Sequence, residues 1–241
     1  MDSGARYDAR VGIDHLALGL LWYVVLLFSL TFHEAAHAWM AQRGGDLTAY
    51  HAGQVSLDPR PHIQREPFGT IFMPLLSFAF FGYMFGWAST PYDPSWAQQH
   101  PKRAASMAAA GPAANLLLVL LAGVAIRVGL LSEVFLPQVE SFSSIVSSVT
   151  PGFWTTVATL LSITFVLNLL LFVFNLIPVP PLDGSGAIGL FLSEENAGKL
   201  QQIMQQPQFS LLGLLAAWFL IRSIFGPVFG VALSMLYMGI G

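Results

Sequence analysis

The sequence predicts an all-α polytopic membrane protein, a core of transmembrane helices with one re-entrant or membrane-embedded segment. Three observations carry that prediction. The 241-residue chain is 55% hydrophobic and only 10% charged, against about 25% charged in an ordinary soluble domain. Its mean hydropathy is +0.64. Five apolar regions, 16–42, 68–88, 103–131, 153–181 and 208–238, approach or exceed the ~20 residues that cross ~30 Å of hydrocarbon. With these subtracted, no stretch remains that would bury a separate soluble core, so residues 1–241 are expected to form a single membrane domain with no appended binding domain. A net charge of −3 gives no reason to expect a nucleic-acid partner. The absence of cysteine excludes disulfides, thiolate catalysis and Cys-ligated metal, leaving His, Asp and Glu as possible ligands.

Taken in order, the first fourteen residues mix Asp2, Asp8 and Asp14 with Arg6 and Arg10. The apolar run after them has no small-residue cleavage site, so a removable signal peptide is not expected. Region 16–42 is one long helix, in which Glu34 is the sole formally charged side chain. The connection from Arg43 to Pro67 is rich in Gly, Pro, His and charge. Region 68–88 is interrupted by Pro74, Gly82 and Gly86, which suits a segment that enters the membrane without crossing it. Region 103–131 is continuous enough to span. A Ser-rich polar connection without Lys or Arg follows, and then helix 153–181, which runs into Pro178, Pro180 and Pro181. Region 208–238 carries Arg222 and then Gly226-Pro227; one kinked helix and a tight hairpin both fit it. No internal repeat is present.

Residues 33–37 read His-Glu-Ala-Ala-His. The i, i+4 spacing puts both imidazoles on one helix face, where they can share a tetrahedral metal, with Glu34 beside them as a base. With six His and six Glu in 241 positions, an accidental match is rare. An ionisable residue at membrane depth is costly enough to indicate function. A catalytic zinc site needs a third protein ligand and an open position. In the segment from Asn175 to Gly184, NLIPVPPLDG, prolines end a long apolar helix and Asp183 follows next to a flexible glycine. Alone, this is a helix-terminating turn with a solvated carboxylate. Beside HEAAH, Asp183 becomes the candidate that closes the site. Gly111-Pro112 reads as a kink that permits close packing, and Asn115 as a partner for the backbone groups that proline frees. His15, His51, His62 and His100 are expected to be solvated or hydrogen-bonding rather than ligating.

HEAAH, NLIPVPPLDG and the intervening Gly111-Pro112-Ala-Ala-Asn115 together resemble the site-2 protease family of intramembrane zinc metalloproteases, peptidase family M50. The stretch VSLDPRPHIQREPFGTIFMPL, followed by Gly86-Trp87, resembles the compact branch that lacks PDZ and CBS domains. The resemblance covers about residues 28–190 and leaves both ends unmatched. It implies one Zn2+ per chain held by His33, His37 and Asp183, with Glu34 as catalytic acid/base. It also implies that Asn175 helps to position substrate, and Asn115 stands as a further substrate-binding candidate.

The function expected is that of an intramembrane zinc endopeptidase cutting within or near transmembrane segments of other membrane proteins, in a prokaryotic cell membrane. A membrane metal transporter would also place His and Asp at membrane depth, but with paired sites along a path, and one cluster is visible. An inactive protease-like scaffold would not need all four site residues. For Asp183 to reach the histidines, helices 16–42 and 153–181 must run parallel, so one of the two intervening regions cannot span. Region 68–88 is assigned that role. The site end then carries Arg43, Arg60, Arg65, Lys102, Arg103 and Lys199, and the other end Arg6, Arg10 and Arg127, so the positive-inside rule puts the site on the cytoplasmic side.

Overall fold

The computed structural model describes residues 3–204 and 206–240. Four helices among them are long and apolar enough to cross a membrane. Helix α1 (Ser3–Gly44) is followed by the short helices α2 (Thr48–His51) and α3 (Pro59–Arg65), a π turn (Phe68–Phe72), and helices α4 (Met73–Phe81) and α5 (Pro94–Gln99). Then come helix α6 (Pro101–Leu131), strands β1 (Phe135–Ser141) and β2 (Ser144–Ser148), and helix α7 (Phe153–Asn175). Helices α8 (Asp183–Ala187), α9 (Glu194–Met204) and α10 (Pro207–Tyr237) complete the chain. Proline occupies the first turn of α3, α5 and α6, where its missing N–H costs nothing. Asp58 and Asp93 cap α3 and α5 by accepting from the N–H groups of Arg60 and Ser95.

Helices α1, α6 and α7 pack together as the core. Trp22, Leu26 and Leu30 of α1 meet Ile163 and Leu167 of α7. Val119, Ile126 and Leu130 of α6 meet Phe165, Val166 and Leu169 of α7. Region 208–238, open in sequence, is the single helix α10, which continues through Pro227 and leaves most of its surface outward. At its C-terminal end the Arg127 guanidinium of α6 donates to the carbonyls of Leu236 and Met238 at 3.0 and 2.9 Å, satisfying orphan acceptors of the last turn.

Region 68–88 enters and returns. Its helical part, Phe68–Phe81, spans about 21 Å at 1.5 Å per residue, short of a ~30 Å core. Gly82, with φ of 74°, ends the helix in a left-handed conformation that a residue with a Cβ rarely adopts. The chain then runs back so closely that a Cβ on Gly86 would lie 2.2 Å from the Gly69 carbonyl oxygen. The returning backbone donates from Trp87 to Gly69 at 3.2 Å and from Phe85 to the Ser77 hydroxyl at 3.1 Å, which keeps non-helical backbone satisfied at membrane depth. Asp93 N–H reaches the Asp46 carboxylate at 2.8 Å, so both flanks of the segment lie at the C-terminal end of α1.

The connection after α6, read from sequence as a polar loop, contains an antiparallel hairpin, β1 with β2. Phe135, Ile145 and Val146 are buried against α6 and α7. Ser162 of α7 accepts from the N–H groups of Ile145 and Val146 at 3.2 and 3.4 Å. The serines hide this in the sequence, because the strand alternation is broken by Pro137 and the hairpin is anchored by tertiary contacts.

Candidate metal centre

The site lies between α1, α6, α8 and the returning arm of the re-entrant segment. His33, Glu34 and His37 on α1 are all buried. The parallel run of α1 and α7 brings Asp183 to them, as the sequence requires. The Nε2 atoms of His33 and His37 stand 3.0 Å apart, and Asp183 Oδ2 stands 3.1 and 3.2 Å from them. A tetrahedral ion with bonds of ~2.0–2.1 Å needs ligand atoms about 3.3 Å apart, so three donors of the expected kind converge at nearly that spacing. Among the described residues these three form the sole such cluster of His, Asp or Glu.

The outward nitrogens are fixed by partners that can only accept. His33 Nδ1 donates to Asn115 Oδ1 at 2.6 Å and His37 Nδ1 donates to the Met107 carbonyl at 2.7 Å, so both rings turn Nε2 toward the centre, the orientation a metal ligand takes. Asn115 is held in turn: its Nδ2 donates to Asn168 Oδ1 at 2.8 Å, and Asn168 Nδ2 donates to Ser29 Oγ at 2.9 Å. This chain of buried amides ties α1, α6 and α7 together at His33. Asn115 therefore contacts a ligand and does not line the cavity. Asn175 is half-buried at the end of α7 and also lies off the cavity wall.

Gly111 explains the approach of α6. A Cβ there would lie 2.3 Å from His37 Nε2 and 2.5 Å from His33 Nε2, in the space over the converging nitrogens. Gly184 has a matching role behind Asp183, because a Cβ there would strike the Leu176 carbonyl at 2.3 Å. The loop is further closed by Leu182 N–H to Val179 and by the Ser185 hydroxyl to Leu182. These contacts set the direction in which Asp183 projects.

Glu34 faces a cavity of about 260 Å³ that His37, Tyr92, Asp183, Gln201 and Met204 also line. The Thr90 hydroxyl, on the returning arm, lies 2.8 Å from Glu34 Oε2 and 2.9 Å from the Glu34 carbonyl; its one proton can serve either. Burial pushes the Tyr92 phenol up from its ordinary pKa.

Sequence reasoning did not identify Thr90, Asn168, Ser29 or the carbonyl of Met107. Asn168 and Ser29 carried a signal, as polar residues within apolar helices. Thr90 and Met107 carried none. The remaining histidines stay apart from the centre. His62 is buried with Nε2 3.2 Å from the Ser56 carbonyl, and the His15 ring packs 4.7 Å from that of Phe78.

Fold and site define a polytopic α-helical membrane protein in which two histidines and an aspartate are grouped so that they could hold a metal ion. The sequence profile of Peptidase family M50 matches residues 21–220, and the chain belongs to that family, the site-2 proteases. It is 35% identical over 170 residues to YwhC of Bacillus subtilis, covering 69% of this chain and 68% of that one. It is 30% identical over 194 residues to Rip2 of Mycolicibacterium smegmatis, covering 80% and 65%. Rip2 of Mycobacterium tuberculosis is 30% identical over 205 residues, covering 85% and 68%. All three relatives are provisionally named zinc metalloproteases. No solved structure gives a significant match.

Proposed function

We propose that the chain is an intramembrane zinc endopeptidase that hydrolyses peptide bonds in or near transmembrane segments of other membrane proteins. The observation that carries this reading is the convergence of His33, His37 and Asp183 beside a cavity that Glu34 also lines. His33, His37 and Asp183 would hold one zinc, and Gly111 leaves room for it. Bound there, zinc supplies Lewis-acid polarisation of the scissile carbonyl and lowers the pKa of water. Glu34 takes the proton of the attacking water and returns it to the leaving amine. Thr90 orients the Glu34 carboxylate for that transfer. Asn115 and the Met107 carbonyl keep the two imidazoles in the orientation that ligates. Asn175 is assigned to positioning the substrate strand that approaches past the end of α7, whereas Asn115, enclosed between His33 and Asn168, acts through His33 and not on the substrate.

The lateral setting defines the substrate class. A helical peptide bond is shielded by its own hydrogen bonds, so the substrate unwinds locally before attack, and helix-breaking residues are expected near the cut. The chain functions as one membrane-embedded unit in a prokaryotic cell membrane, with its active site toward the cytoplasm. That orientation is supported by six basic residues at the site end against three at the other.

Purified protein incubated with a single-span polypeptide should cleave it with zinc and stop on chelation. A transporter would instead move metal into vesicles without cleavage. Orientation is tested separately with Ser56→Cys, Ser95→Cys and Ser144→Cys in a chain with no native cysteine. An impermeant thiol reagent added to intact cells should label position 144 and spare 56 and 95. Opposite labelling of 56 and 95 would refute the re-entrant arrangement.

A further inference from the structure

Helix α9 lies beyond the recognisable motifs, yet it forms one wall of the active-site cavity. Its inner face is Ala197, Gln201 and Met204, spaced i, i+4 and i+7. Its outer face carries exposed Glu194, Glu195 and Lys199, with a Glu195–Lys199 ion pair at 2.7 Å. Amphipathic logic puts an apolar residue at position 201. Instead Gln201 is 7% exposed, lines the cavity that Glu34, His37 and Asp183 also line, and has no hydrogen-bond partner among the described residues. On the returning arm across the cavity, two hydroxyls are engaged. Ser89 donates to Glu66 at 2.7 Å, and Thr90 lies on Glu34. A primary amide that lines the cavity with no protein partner is free to meet a group that enters it.

An unwound substrate segment presents N–H and C=O groups that have lost their helical partners. A carboxamide offers two donors on nitrogen and an acceptor on oxygen, the complement of an extended peptide unit. We propose that Gln201 binds substrate by hydrogen-bonding the backbone of the unwound segment, whatever its side chains. This rests on the endopeptidase reading.

The test uses full-length protein in detergent with a fluorescent single-span polypeptide whose apolar span is broken by Asn-Gly-Pro. Gln201→Met keeps the volume and removes the bonds, and Gln202→Met, on the exposed face, is the control. Gln201→Met should raise KM roughly five- to tenfold, with kcat and bound zinc close to native. It should weaken the Kd for the same polypeptide to a similar degree in a Glu34→Gln background, where no cleavage is needed. Gln202→Met should match native in both. Unchanged KM and Kd in Gln201→Met would overturn the proposal, and so would lost zinc or a fall in kcat with KM unchanged, since those mark a structural role. If native protein cleaves nothing, the endopeptidase reading fails while the Kd comparison still decides whether Gln201 binds an unwound chain.

Discussion

The two ends of helix α6 share one backbone and serve opposite purposes. Toward its N-terminus the helix presents Ala104, Ala105, Ala108, Gly111 and Asn115, small or polar residues that let α1 and α8 approach and accept a hydrogen bond from His33. Toward its C-terminus it presents Val119, Ile126 and Leu130, locked against Phe135, Ile145 and Val146 of the hairpin. The first end trades packing volume for a cavity and a set of directed hydrogen bonds. The second buries apolar side chains against the hairpin and α7. Chemistry and mechanical stability are thereby separated along a single helix, and substitutions at the two ends should fail in different ways.

The largest effect is expected at Gly111. Gly111→Ala places a methyl 2.3 Å from His37 Nε2, so the imidazoles must separate and both bound zinc and cleavage should disappear. At the other end Gly123→Ala meets the Phe165 ring at 3.3 Å and Leu236 at 3.9 Å, far from the histidines, and should leave both intact. Zinc content of the two purified variants checks the contrast; zinc retained at native affinity in Gly111→Ala would break it.

Next comes Asn115→Leu, similar in size but unable to accept from His33 or donate to Asn168. Zinc affinity should fall about 10- to 100-fold, as for other residues that orient a ligand from behind, with modest loss of thermal stability. A competition titration against a chromophoric chelator measures it. An unaltered affinity would reduce the buried amide chain to packing.

The smallest effect on chemistry is expected from Ile126→Ala, in the half that packs on the hairpin, where Ile126 is completely buried. The lost contacts should cost about 2–4 kcal/mol of stability, read as a lower unfolding midpoint. Zinc affinity and kcat at a permissive temperature should stay near native. A fall in zinc affinity would show that the two halves are coupled.

The same division explains what could be read from the sequence. HEAAH stood out because helical spacing puts both imidazoles on one face of a region with no other charge than Glu34, Asp183 became a candidate only beside it, and the parallel arrangement of α1 and α7 followed from requiring those groups to meet. The return of 68–88 was legible for a similar reason, since crossing would have separated those ligands. The hairpin was not, because its register comes from Ser162, Phe135 and the neighbouring helices rather than from its own composition. Thr90 was not legible either. It reaches Glu34 only because the re-entrant arm folds back by a path that no local pattern encodes. Asn168 and Gln201 fall between these cases: each is a polar residue on an apolar face, and only the fold shows that one is satisfied and the other faces the cavity.

The central claim is that Glu34 performs proton transfer while His33, His37 and Asp183 hold the metal. It is tested most directly by Glu34→Gln, with zinc content and cleavage of a single-span polypeptide measured on one preparation. Because the amide cannot take a proton and the three ligands are untouched, zinc should remain at the native stoichiometry while cleavage falls below detection. Cleavage at a rate near native, or loss of zinc together with activity, would contradict it.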